Sequence, residues 1–441
     1  MSLLRLLDRD RISAPAGYAR WRIPPAGLAI HLSIGQAYAF SVFNLPLTRV
    51  LGITASAPGD WALTTVGWVF SIAIVCLGLS AFAFGAWIER AGPRKAMFAA
   101  ACCFGGGFLV AALGVHLHRI ALLYLGYGVL GGIGLGLGYI APVSTLMKWF
   151  PDRPGMATGL AIMGFGGGAM IGSPLAMALM RHFATPTSTG VAAAFVVMGI
   201  LYFAVMCGGA WLVRLPAAPI PAAPGTRPAG PDTPVGVAMR TPAFRYLWVV
   251  LCLNVTAGIG VLGQAAPMVQ EMFPGRVDAA GAARFVVFLS AANMVGRFLW
   301  SSASDRIGRP WTYALFFALG ALLYAAVPAI GRAGDLVLFV AVCGVLMTMY
   351  GGGFATIPAY LRDHFGTMQV GAIHGRLLTA WSVAGVAGPV LVNYLRQARI
   401  DAGTPPADAY AGTLYIMAGL LAVGFLANLG AARALRRSTL Q

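Results

Sequence analysis

About twelve stretches of some 20 or more apolar residues, each long enough to cross a hydrocarbon core about 30 Å thick, dictate what this chain can become. They cover residues 26–48, 63–84, 96–116, 120–147, 155–180, 191–213, 243–270, 283–302, 311–331, 335–361, 370–395 and 409–432. Lipid offers no hydrogen-bond partners, so a segment inside it must satisfy its own backbone as a helix or close into a barrel. The runs are continuous rather than alternating, and the 58 Gly and 27 Pro punctuate them, which selects helices over an outer-membrane barrel. With 59% hydrophobic and 10% charged residues, a soluble globular fold is excluded. The expected fold class is all-α, a membrane protein of 12 transmembrane helices.

The net charge of +17 would suggest nucleic acid in a soluble chain, yet the positive residues here sit in short loops beside the apolar runs. With the N-terminus inside, the inner segments hold about 21 Lys and Arg and the outer loops about 8, a bias that places both termini in the cytoplasm. The expected surroundings are the lipid bilayer of the cell (inner) membrane, with no nucleic-acid partner. Residues 1–22 carry Arg5, Arg9, Arg11, Arg20 and Arg22 but no cleavage site of small residues after a short apolar region, so 26–48 is expected to anchor permanently. The six cysteines, Cys76, Cys102, Cys103, Cys207, Cys252 and Cys343, all fall in apolar runs without C-x-x-C or Cys/His spacing. We expect small buried hydrophobes there, with no disulfide and no metal site.

Residues 214–240 are rich in Pro, Ala and Gly and divide the runs six and six, as a flexible linker would. The expected domains are an N-terminal six-helix bundle (1–213), the cytoplasmic linker (214–240) and a C-terminal six-helix bundle (241–441). A constant offset of 216 residues relates the two halves. It takes Gly85-x-x-x-Glu89-Arg90-x-Gly92 onto Ser301-x-x-x-Asp305-Arg306-x-Gly308, and Pro142, Gly155, Gly159, Phe165 and Gly172 onto Pro358, Gly371, Gly375, Trp381 and Gly388. Two such halves in the same orientation are the parallel repeat of a rocker-type transporter, with its substrate site near the midplane.

These residues carry a family resemblance. GAWIERAGPRK (85–95), with SSASDRIGRP (301–310) as its counterpart, resembles the signature loop of the major facilitator superfamily, over essentially the whole chain. YAFSVFNLPL (38–47) and GLGLGYIAPVSTLMKWFPDRPGMATGLAIMGFGGGAMIGSPL (134–175) resemble the oxalate/formate antiporter family, a neighbour of the monocarboxylate transporters. The resemblance implies the major facilitator fold and transport of small carboxylates, and with no nucleophile–base pair or metal cluster at mid-depth the chain is not expected to be an enzyme. In the signature loops, Glu89 and Asp305 are expected to pair with Arg90 or Arg306 and with the N-terminus of a neighbouring helix, latching the halves in one state.

Arg297 is the deepest charge in the chain, preceded by FVVFLSAANMVG and followed by Phe298-Leu-Trp. Even at a low cost of about 2.5–3.5 kcal/mol, a mid-bilayer arginine persists only where a protein interior or watery cavity gives it a partner, here an anion. Counting about 1.5 Å per residue from the signature loop puts it near the midplane. The same ruler brings His31, Tyr139, Phe165, Tyr350, Phe354 and Trp381 to that level, with Tyr38 beside the path. Such an enclosure suits a small flat carboxylate, bound bidentately by the guanidinium and walled by rings.

Asn293, four residues before Arg297, shares its helical face and is expected to orient the guanidinium or donate to substrate. Related monocarboxylate transporters have an acid at this spacing, so the asparagine puts the usual proton relay in doubt. The oxalate transporter of the family has a lysine in span 11, near where this chain has Trp381. One cation then favours a monoanion such as formate, lactate or pyruvate over a dianion, because an unpaired extra charge costs several kcal/mol.

Every Asp and Glu falls in a loop or near a helix end, so no mid-depth carboxylate is available to bind a cation or relay a proton. His31 is the mid-depth group that titrates near neutrality, which leaves proton symport and anion exchange both open. GYGVLG (126–131) matches a dinucleotide fingerprint but lies in an apolar run without a βαβ context, and we read it, like GFGGGA (164–169), as close helix packing. The expected function is secondary transport of a small carboxylate by a monomer, without cofactor, metal or catalytic residue. The alternatives are a dicarboxylate antiporter, a carrier of another small solute, a sensing receptor and a membrane enzyme.

Overall fold

The computed structural model describes residues 6–15, 17–221 and 228–438; Arg5 and residues 222–227 of the expected linker lie outside the described residues. Among the described residues, helices dominate, no strand forms, and twelve helices are long and apolar enough to cross a membrane. The first six are α1 (Arg20–Leu47), α2 (Leu63–Ala91), α3 (Pro93–His116), α4 (Ile120–Trp149), α5 (Pro154–Phe183) and α6 (Val191–Leu212). The other six are α7 (Pro242–Gly260, in a helix that runs on to Met272), α8 (Ala280–Ile307), α9 (Arg309–Arg332), α10 (Leu336–Phe365), α11 (Val370–Asp401) and α12 (Pro406–Arg436).

Most helices outrun the apolar stretches that announce them. Expected over 63–84 and 283–302, α2 and α8 continue through Glu89 and Asp305, because polar residues at a helix end continue the same backbone hydrogen bonding outside the apolar zone. The starts are set locally. Thr241 accepts from the Phe244 N–H at 3.2 Å, Asp278 from Gly281 at 2.7 Å and Asp335 from Leu338 at 3.0 Å, each satisfying one of the orphan donors of a first turn. At the far end of α6, buried Arg94 donates to the carbonyls of Ala210, Trp211 and Val213, acceptors that a helix C-terminus leaves unpaired.

The chain packs as two compact units. One comprises Met1–Asp152, Leu160–Pro224 and Gly371–Ser382; the other comprises Arg153–Gly159, Gly225–Val370 and Val383–Gln441. The start of α5 thus belongs to the second unit and the start of α11 to the first. Glycines set the close approaches within each. In the first, Gly107 of α3 has Gly126 and Gly131 of α4 where a Cβ would lie, and Gly164 and Gly168 of α5 press on α1. In the second, Gly296 of α8 meets the Thr348 backbone of α10. This accounts for GYGVLG and GFGGGA as packing seams, and residues 124–131 widen locally into a π-helix. The expectation for cysteines needs correction: Cys252 and Cys343 are buried, but Cys76, Cys103 and Cys207 are half-buried and Cys102 is exposed. An apolar run fixes membrane depth and leaves open which helix face meets the bundle interior.

The two signature loops turn on Gly92 (φ 87°) and Gly308 (φ 93°), positions in the left-handed region related by the offset of 216. A side chain there costs about 1–2 kcal/mol. Gly308→Ala is expected to lower the apparent Tm of the detergent-purified protein, whereas Gly106→Ala, whose Cβ would meet nothing within 4 Å, leaves it in place or raises it slightly. Equal shifts for both would show that the loop glycine is not conformationally required.

Candidate functional site

In the second unit, Arg297 has no exposed surface. Its Nε donates to Oδ1 of Asn293 at 3.0 Å, one turn earlier on α8, and Asn293 is itself fully buried. The guanidinium carbon lies 5.1 Å from the centroid of the Phe354 ring, a cation–π contact strengthened by desolvation. Phe354 meets Tyr350 edge to face at 5.3 Å. Sequence spacing explains the convergence, since residues 350 and 354 are one turn apart on α10, as 293 and 297 are on α8. Glycine allows it: at Gly351 a Cβ would collide with Asn293 and reach 3.1 Å from Cγ of Arg297, and Gly258 of α7 gives its side-chain space to the Tyr350 ring.

In the first unit, the remaining predicted residues form one aromatic cluster. Tyr139 of α4 stands at its centre, 5.3 Å from His31 of α1, 5.5 Å from Phe165 of α5 and 5.3 Å from Trp381 of α11. Phe165 and Trp381 are 5.2 Å apart, and Tyr38 touches both, at 5.0 and 6.3 Å. Tyr38 is half-buried and the others are fully buried. Nδ1 of His31 lies 3.2 Å from the carbonyl oxygen of Gly27, which can only accept, so Nδ1 carries the hydrogen and Nε2 is the acceptor of the neutral ring.

Spacing reasoning missed His374, which is 1% exposed and whose ring lies 5.8 Å from Tyr139. It sits only four residues into α11, outside the depth window, but Gly371 and Gly375 let this first turn press against α2 and α4. The offset of 216 offers one signal, for it pairs His374 with Thr158 inside a matching stretch. Arg376 is half-buried, with its guanidinium carbon 5.1 Å from the Phe82 ring centroid and Nη1 donating to Ala372 at 3.1 Å.

The signature residues are paired differently from expectation. Arg90 and Arg306 are exposed, while Glu89 pairs with Lys148 at 2.9 Å and Asp305 with Arg309 at 2.6 Å. The turn at Gly308 ends α8, and it brings Arg309, the first residue of α9, back to Asp305, a geometry that the adjacent Arg306 lacks. Asp305 also accepts from the N–H groups of Gly155 and Met156, both at 2.9 Å, and so caps the start of α5 as the dipole argument requires. Glu89 stands over Gly371 at the start of α11, and Gly85 lies against Ala372, whose Cα would be 3.1 Å from an added Cβ. Arg309 further approaches Asp363 at 3.4 Å and the Ser304 hydroxyl.

A repeated set of membrane-length helices with capped ends and a buried cation defines a polytopic membrane carrier. Residues 26–389 match the model of the Major Facilitator Superfamily, and the chain belongs to that superfamily. It is therefore a multi-pass membrane transporter and not an enzyme. Among curated proteins it is 26% identical to the oxalate:formate antiporter of Oxalobacter formigenes, over 80% of this chain and 79% of that one. It is also 26% identical to apicoplast pyruvate carrier 1 of Toxoplasma gondii, over 73% and 68%. Among solved structures, the Escherichia coli fucose:proton symporter shares the fold, with a TM-score of 0.65 at 14% identity over 93% of this chain and 99% of that one.

Gly351→Ala places a methyl group where Asn293 and Arg297 already lie, an overpacking that costs about 1–3 kcal/mol. It is expected to reduce transport more than Gly106→Ala does at matched expression in a vesicle uptake assay. Equal activity of the two variants would show that the Arg297 geometry is not set by this close approach.

Proposed function

We propose that this protein is a secondary transporter that moves a small monocarboxylate, such as pyruvate, lactate or formate, by alternating access. The observation that carries this reading is the fully buried Arg297, oriented through Nε by a neutral amide that contributes no negative charge. A guanidinium presents its N–H donors in a planar fork that a carboxylate matches bidentately. One such cation neutralises one carboxylate, and a second uncompensated negative charge costs several kcal/mol in a low dielectric. The Phe354 ring lies against the guanidinium and Tyr350 packs on that ring, and within their own unit His31, Tyr38, Tyr139, Phe165 and Trp381 are the proposed substrate-contacting residues.

Relatives named for oxalate and formate and for pyruvate support a small carboxylate. The positive-inside bias supports cytoplasmic termini in an inner membrane, with bundles 1–213 and 241–441 joined by 214–240 and working as a monomer. Gly85, Glu89, Arg90 and Gly92, with Asp305, Arg306 and Gly308, then form the gating segments, and Asp305 on the first turn of α5 is a latch that opens once per cycle. A dicarboxylate exchanger is the second reading, favoured by the oxalate:formate relative.

The test is counterflow in proteoliposomes with pyruvate, lactate, formate and oxalate. Monocarboxylates are expected to exchange, with Arg297→Gln lowering the rate at least about 100-fold and Arg297→Lys, which lacks the planar fork, retaining under about a tenth. Full carboxylate transport by Arg297→Gln overturns the site, and oxalate outcompeting every monoacid selects the second reading.

A further inference from the structure

His374 has neither ring nitrogen hydrogen-bonded among the described residues, although the residue is 1% exposed. Leaving a buried donor or acceptor unsatisfied is costly, so a position that needed only packing has no use for an imidazole. The internal repeat supplies a comparison. The residue 216 positions earlier is Thr158, also buried, whose hydroxyl is satisfied by the carbonyls of Gly155 at 2.9 Å and Ala355 at 2.6 Å. Ala355 is in turn the offset partner of Tyr139. The same contact is thus made in both units, by a threonine satisfied on backbone in the second and by an imidazole against a phenol ring in the first.

Tyr139 lies against two imidazoles, His374 at 5.8 Å and His31 at 5.3 Å. Since Nδ1 of His31 is committed to Gly27, an added proton on that ring goes to Nε2. Around this pair, α2 contributes Glu89, which pairs with Lys148 of α4 and stands over Gly371 one turn before His374. Within α11 itself, Arg376 turns to the Phe82 ring and the Ala372 carbonyl. From α1 and α5 come Tyr38 and Phe165, which touch Trp381. A charge on either imidazole lies beside the ring of Tyr139.

We infer that His374, with Tyr139 and His31, carries the proton that crosses with each carboxylate. This rests on the carboxylate reading above and names its coupling ion. A proton from water on the loading side adds to a nitrogen lone pair of the neutral imidazole, giving imidazolium. On the other side the same N–H bond breaks and the proton returns to water as the carboxylate leaves. One proton and one monoanion cross together with no net charge, and no other bond changes.

The test uses the full-length protein in proteoliposomes carrying an entrapped pH dye, with pyruvate as the probe. Wild type is expected to accumulate pyruvate down an imposed pH gradient, moving one proton per pyruvate, and to exchange pyruvate in counterflow at equal pH. In His374→Gln the ratio of gradient-driven accumulation to counterflow is expected to fall at least about tenfold, and His31→Gln is expected to shift the pH profile of accumulation. Counterflow reports folded carrier, so a drop in that ratio is not produced by misfolding. A His374→Gln protein that keeps the wild-type ratio and proton stoichiometry overturns the inference, as does wild type that exchanges pyruvate with no proton movement. Wild type that moves no carboxylate under any gradient instead removes the carboxylate reading itself.

Discussion

The guanidinium of Arg297 is the group on which the rest of this structure turns. A cation without exposed surface in an apolar bundle is tolerated only with compensation, to which the Asn293 amide and the Phe354 face contribute, and the glycine backbone of α10 lets α8 approach. Each constrains the others. Asn293 accepts from Nε of the guanidinium, Phe354 lies against its carbon, and Gly351 permits the close approach of the helices that carry them. Under the proposed function, donors held in place in this way lower the ordering cost of binding a planar anion.

Around this group the repeat is only partly symmetric, and the departures carry the chemistry. The left-handed glycines of the signature loops are kept in both halves, as are the glycines at the starts of α5 and α11. The chemistry placed upon them differs. Asp305 caps α5 through two N–H groups, whereas Glu89 pairs with Lys148 and stands over α11. Arg297 corresponds under the offset to Ala81, and His374 to Thr158. A repeated scaffold thus carries a buried cation in one unit and an aromatic cluster with two imidazoles in the other.

Much of the fold was legible in the sequence because lipid leaves a segment few choices. Twelve apolar runs became twelve helices, and the offset of 216 anticipated both loop glycines. The pairing of Arg297 with Asn293 was legible too, because helical spacing alone puts residues four apart on one face. Other features depend on helix rotation and tertiary contact, which no run length encodes. Cys102 faces outward though it lies mid-run, and Glu89 and Asp305 find Lys148 and Arg309 instead of their neighbouring arginines. His374 lies near a helix end, far from the depth of Arg297 along the chain, and its burial comes from the small residues that bring α11 against α2 and α4.

The most direct measurement is equilibrium binding of pyruvate to the purified protein, without transport, by isothermal titration calorimetry on wild type and Arg297→Gln. One saturable site per chain is expected in wild type, competed by lactate and formate, and no saturable binding in the variant at matched folding. Undiminished pyruvate affinity in Arg297→Gln would contradict that expectation.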